Sequence, residues 1–161
     1  MTVQRFEDLK VWQEARVLVS SVYEAARKNA QLAKDYRFRD QITAAAVSVM
    51  SNVAEGFSRR SNREFTQFLF IAKGSCAEVQ SLLYAALDQG YVTRDQFDAI
   101  YRQTDLVARF LSRLITYLLR STSTAKPNEL NERNRHDQRH EPNRLNAPNG
   151  RNQLKKSGKP N

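Results

Sequence analysis

The residues able to do chemistry are few in this chain, and their places narrow what they can do. The two histidines, His136 and His140, stand four apart near the C-terminal end, and none falls earlier. Residues 1–135 therefore cannot assemble the histidine-and-cysteine ligand sets of zinc sites, nor the paired Glu-x-x-His motifs of a di-iron bundle. The spacing of His136 and His140 reads as chance, because no further ligand accompanies them. Cys76 is the one cysteine. It allows no disulfide within the chain, and its place on an apolar helical stripe points to packing rather than to nucleophilic work. The five glycines, at 56, 74, 90, 150 and 158, are isolated, so there is no phosphate-binding loop or dinucleotide fingerprint. The expectation is a protein that is not an enzyme and holds no metal or cofactor.

The densest polar constellation runs from Ser48 to Gly56. Ser48, Asn52 and Glu55 are spaced i, i+4, i+7, so a helix puts them on one face beside its apolar stripe. Gly74 and Ser75 are small and would let a neighbouring helix approach there. The preferred reading is a structural hydrogen-bond network of Ser48, Asn52, Glu55 and Ser75 that fixes helix register. The alternative is a ligand site.

Four helices must position these residues. The first spans about Glu7–Lys28, with Leu9, Trp12, Ala15, Val19, Val22 and Ala26 along one stripe. Asn29 and Gln31–Asp35 form the connection. The second spans about Tyr36–Glu55, with Phe38, Ile42, Ala45, Val49 and Val53 inward and Gly56 as a left-handed stop. The third opens on the capping box Ser61-Asn62-Arg63-Glu64 and runs to about Gln89, with Gly90 as its stop. The fourth opens on Thr93-Arg94-Asp95-Gln96 and ends near Arg120. Its seam, Phe97, Ile100, Thr104, Val107, Leu111, Leu114 and Leu118, alternates steps of three and four. No proline precedes Pro127 and no strand pattern occurs. Short connections between long helices predict an all-α fold, an antiparallel up-down-up-down four-helix bundle over residues 1–121.

Residues 122–161 contain few apolar side chains and predict a disordered basic tail. The formal net charge is +9. Residues 1–121 hold seventeen Lys and Arg against thirteen Asp and Glu, and the tail holds nine against four. The tail thus carries just over half the excess, and the balance favours an anionic partner such as nucleic acid. The N-terminus lacks the apolar core of a signal peptide, and no segment is long and apolar enough for a membrane span. A cytoplasmic protein with no membrane partner is expected.

The third and fourth helices carry a second apolar stripe. Phe70, Ala77 and Tyr84 recur every seven residues, as do Tyr101, Ala108 and Ile115. Such surface predicts a homo-oligomer whose interface includes Phe70, Tyr84, Tyr101 and Ile115.

Several segments together resemble the four-helix-bundle proteins of the large-subunit ribosomal RNA intervening-sequence family, also called the S-twenty-three group. They are Phe6–Gln13, Ser48–Gly56, Glu64-Phe65 with Phe68-Leu69, Ile71–Ser75, Glu78 and Gly90–Val92. The match covers roughly residues 5–120 in order. The resemblance implies a homopentamer. It extends to the accessory variability protein of diversity-generating retroelements, a pentameric barrel that binds nucleic acid and partners a reverse transcriptase. After Gln41-Ile42, where the family usually carries a basic pair, this chain has Thr43 and Ala44. Met50 stands where a proline is common.

Candidate nucleic-acid contacts are Arg37 and Arg39 at the start of the second helix, Arg59, Arg60 and Arg63 before and into the third, and Arg109, Arg113 and Arg120 along the fourth. Two functions follow. One is a nonenzymatic oligomeric accessory protein that binds nucleic acid, RNA or RNA/DNA, through basic surface and tail. The other is an oligomeric scaffold for a reverse transcriptase or another effector, with no direct nucleic-acid role.

Overall fold

Helix punctuation does much of the work in the first stage of this fold. The structure, a computed structural model, describes residues 3–123. A 3-10 turn at Phe6–Asp8 leads into α1 (Lys10–Lys28), α2 (Ala30–Lys34), α3 (Tyr36–Phe57), α4 (Asn62–Asp88) and α5 (Arg94–Ser123), and no strand occurs among the described residues. The tail expected over residues 122–161 lies, beyond Ser123, outside the described residues.

Both capping boxes form. The Ser61 hydroxyl accepts the Glu64 amide at 3.2 Å and donates to the Glu64 carboxylate at 2.7 Å. The Thr93 hydroxyl accepts from the Gln96 amide at 3.2 Å, and the Gln96 side chain accepts in return from the Thr93 amide at 2.9 Å. Gly90, at φ 67°, ends α4 as expected. The amides of Gly90 and Tyr91 reach back to the carbonyls of Leu87 (3.0 Å) and Ala86 (2.8 Å), the paired bonds of a Schellman turn.

Two expectations at helix ends are corrected. Gly56 does not stop its helix: α3 runs on through Phe57, and the Ser58 hydroxyl closes it by donating to the Glu55 carbonyl at 2.7 Å. Gly56 is buried, and a Cβ there would stand 2.7 Å from Phe65 Cδ2 and from Phe68 Cβ. It is glycine because α4 lies against it. The Gln31–Asp35 connection also folds, as α2, because Leu32 is pulled into the interior. Asn29 caps this turn, accepting from the Gln31 and Leu32 amides at 2.9 Å each.

The helices form a bundle. α3 packs on α4, α4 on α5, and α1 on both α3 and α5. The core seam of α4 is Phe65, Leu69, Ala72, Cys76, Val79, Leu83 and Ala86, and that of α5 runs from Phe97 to Leu118. Leu18, Leu69, Leu83 and Leu111 are fully enclosed, each stabilising the fold by about 2 kcal/mol through burial. In α1 the seam is Val11, Ala15, Leu18, Val22, Ala25 and Ala26, while Trp12 and Val19 flank it half-buried. Ile115 is also core, at 5% exposure. Its assignment to an outer interface is wrong because it lies one turn from Leu111 and from Leu118, and all three face inward.

Long-range hydrogen bonds fix how the ends meet. The Asn29 amide donates to the Gly90 carbonyl at 3.2 Å, and the Tyr91 hydroxyl donates to Asp35 at 2.9 Å. That carboxylate pushes the Tyr91 phenol up from its usual value. Where α4 begins and α5 finishes, the Asn62 amide donates to the Ser121 hydroxyl at 3.1 Å. Between α1 and α5, Gln103 donates to the Glu14 backbone and carboxylate at 2.9 Å each. Lys10, then Gln103, hold the Glu14 carboxyl below its usual range.

Candidate nucleic-acid interface

The polar cluster of α3 divides in two. The Ser48 and Ser75 hydroxyls meet at 2.9 Å across the α3–α4 contact. The Asn52 amide donates to the Ser48 carbonyl at 2.8 Å and to its hydroxyl at 3.1 Å. This is a satisfied inter-helix network, and no side-chain polar atom buried among the described residues lacks a partner. Glu55 stands apart from it, exposed and paired with Arg59 one turn on. Gly74 is exposed with nothing within 4 Å, so it does not set the helix spacing there. Asn52→Ala is expected to cost about 1 kcal/mol, and Glu55→Ala to stay within about 0.5 kcal/mol of the parent. Thermal or urea melts of the two variants check this.

Cys76 is buried and its thiol is pushed up to about 12 by desolvation, so it stays protonated at neutral pH. No group of three His, Cys, Asp or Glu able to hold a metal occurs among the described residues. No described helix is long and apolar enough to cross a membrane.

The arginines separate into two regions. Arg37 and Arg39 sit at the start of α3. Arg39 is engaged with the Asp40 carboxylate at 2.8 Å and the Ala33 carbonyl at 3.3 Å, and lies 4.9 Å from the Tyr36 ring. Thr43, where the resembling family carries a basic residue, is buried and donates to the Arg39 carbonyl at 2.8 Å. Arg59 and Arg60 lie some twenty residues further on, roughly 30 Å along the α3 axis. The two regions are therefore not one patch.

At the second region the N-terminal segment, the α3–α4 connection and α5 enclose an open groove of about 530 Å³. Its polar lining is Arg59, Arg60, Ser61, Asn62 and Tyr117; no Asp or Glu lines it, but Glu55 pairs with Arg59 and Glu64 accepts from the Ser61 hydroxyl at 2.7 Å beside it. Leu9 and Leu114 also line a neighbouring hollow of about 290 Å³, where Lys10, Phe110 and Arg113 stand. Arg113 and Phe110 in turn border a small recess with Arg109. The three hollows follow one another along α5 and share these lining residues. Arg59 lies over the Phe68 ring at 4.7 Å, and Arg109 pairs with Asp105 at 2.8 Å. Arg60 and Arg113 have no ion pair among the described residues. Arg63 and Arg120 are exposed nearby in sequence, Arg120 beside the Ser121 that meets Asn62. Sequence reasoning did not single out Lys10 or the groove itself, since both depend on the N-terminal segment meeting α5.

On α4, Phe70 and Tyr84 are each 54% exposed, in line with the outer stripe. Tyr101 is half-buried against Phe97 (5.5 Å) and Tyr84 (6.0 Å).

The described residues thus form an all-α helical bundle with a basic groove at one end. Residues 7–113 match the family described as 23S rRNA-intervening sequence protein, and the chain belongs to that family. A crystal structure of a protein of unknown function from the S23 ribosomal protein family of Bacteroides thetaiotaomicron has a similar fold. The TM-score is 0.61 at 20% identity, over 65% of this chain and 97% of that one. No curated protein matches.

Proposed function

We propose that this chain is a nonenzymatic, oligomeric accessory protein that binds nucleic acid, RNA or RNA/DNA, in the cytoplasm. Its four long helices run up and down in turn as an antiparallel four-helix bundle, and the bundle is one stave of a homopentamer. The observation that carries the reading is the groove lined by Arg59 and Arg60, with Arg113 and Arg109 in the hollows beside it along α5; of these Arg60 and Arg113 have no ion pair among the described residues. The exposed Phe70 and Tyr84 of α4 support the oligomeric part, because a contiguous apolar stripe in water marks an interface. Repeating the groove and the basic tail around a ring would multiply weak phosphate contacts into avidity.

The test is binding of the full chain to labelled RNA across a salt series. Affinity is expected to fall by at least about tenfold between roughly 50 and 200 mM salt, as several phosphate contacts release counterions. A salt-independent affinity would overturn the reading. The same exposed stripe favours a second reading, a scaffold for a reverse transcriptase or another protein effector. That reading predicts salt-tolerant complexes that survive neutralisation of the tail's lysines and arginines.

A further inference from the structure

We infer that the track along α5 is built for a single strand of RNA, with an unpaired base resting on the Tyr117 ring. The inference rests on the nucleic-acid reading above and specifies its ligand. Tyr117 is 68% exposed although it lines the groove with Arg59 and Arg60, so much of its amphipathic side chain is open to solvent there. Arg113 is one helical turn before Tyr117, and Phe110 is two turns before it, on the same side of α5. Cationic and aromatic side chains therefore alternate along the track: Arg60, Tyr117, Arg113, Phe110, Arg109.

That alternation has a specific use. Guanidinium groups follow a phosphate backbone, while aromatic faces stack on bases of any identity. A duplex offers phosphates but keeps its bases stacked on one another, so Tyr117 would have nothing to receive. A protein partner would satisfy the apolar floor of Leu114, Leu118 and Phe65. It would then have to supply carboxylates for Arg60 and Arg113, which have none among the described residues. The acids near the track are each engaged: Glu55 with Arg59 and Glu64 with the Ser61 hydroxyl at the groove, Glu14 with Lys10 and Asp105 with Arg109 further along.

The experiment is fluorescence anisotropy of the full chain with an adenosine-rich single-stranded RNA of about twelve nucleotides. A blunt RNA duplex of equal length serves as the contrast. Tyr117→Ala is expected to weaken single-strand binding about tenfold without changing its salt slope. Tyr117→Phe is expected to retain binding, and Arg60→Ala to lower the salt slope by about one. Because Tyr117 is so exposed, its variants should melt with the parent. Parent-like binding by Tyr117→Ala, with RNA still bound, overturns this inference and leaves the proposed function standing. Failure of the parent to bind RNA at all overturns both. Equal Tyr117 dependence for the duplex overturns the single-strand assignment. A change of particle mass on Tyr117→Ala, by light scattering, gives the groove to a second copy of the chain and also overturns it.

Discussion

Ile115→Ala is expected to destabilise the chain by about 2–5 kcal/mol, the range for truncating an enclosed aliphatic side chain. Ile115 is 5% exposed and belongs to the core cluster with Leu111 and Leu118. Three methyl or methylene groups removed there leave a hole that long, well-packed helices close only partly. Particle mass should not change while the chain remains folded. Phe70→Asp is the matched contrast. Phe70 is 54% exposed, so the aspartate is solvated and the fold of a single copy should tolerate it. If the α4 stripe joins copies, that substitution places a charge in the joint and lowers the mass. Urea melts and light scattering on both variants separate interior from interface. A Phe70→Asp chain of parental mass would remove Phe70 from the interface.

Gly56→Ala is expected to destabilise by about 1–3 kcal/mol, as overpacking does in a close-fitting interior. The added Cβ would meet Phe65 Cδ2 and Phe68 Cβ at 2.7 Å. The ring can turn, but Phe68 Cβ is tied to the α4 backbone, so the helices themselves must separate. Gly74→Ala should act in the opposite direction. Gly74 is an exposed interior residue of α4 with nothing within 4 Å, and replacing it gains about 0.5–1 kcal/mol of helix propensity. Parallel thermal melts test the pair. Two glycines eighteen positions apart thus differ in the sign of one substitution. Equal signs would mean that the α3–α4 approach at Gly56 is not tight.

The sequence made some parts of this fold legible and left others hidden, for identifiable reasons. Capping chemistry is local, so Ser61 with Glu64, Thr93 with Gln96, and Gly90 could be read directly, and each forms. The seam of α5 is long and regular enough for its helical period to be read, although Leu114 stands at the flank of the core and Ile115 within it. In α1 the period was found but its phase slipped. Val11-Trp12, Leu18-Val19 and Ala25-Ala26 are adjacent apolar pairs, and one residue is 100° of helix. Only packing on α3 and α5 decides that Val11 and Leu18 turn inward and leave Trp12 and Val19 at the flank. Gly56 was misread because the reason for it lies on another helix. Ile115 was misread because a seven-residue repeat was followed along the outer side, although the inward face of α5 is wide enough to include it. Within the polar cluster, spacing brought Ser48 and Asn52 together correctly, and Ser75 joined them. It could not foresee that Glu55 would turn to Arg59. The eight candidate arginines could be named from the sequence, but not where they stand relative to one another. Their division into a groove that gathers Arg59 and Arg60 and a remote pair at Arg37 and Arg39 needed the third dimension.

The ties of Asn29 to Gly90 and of Tyr91 to Asp35 carry a consequence for local unfolding. They join residues 61 and 56 positions apart, and Phe38 stacks edgewise on Tyr91 at 5.5 Å beside them. Fraying there must break all three contacts at once. Residues 29–38 and the α4–α5 connection at 90–91 are therefore fastened as one cooperative unit, which opens whole rather than segment by segment.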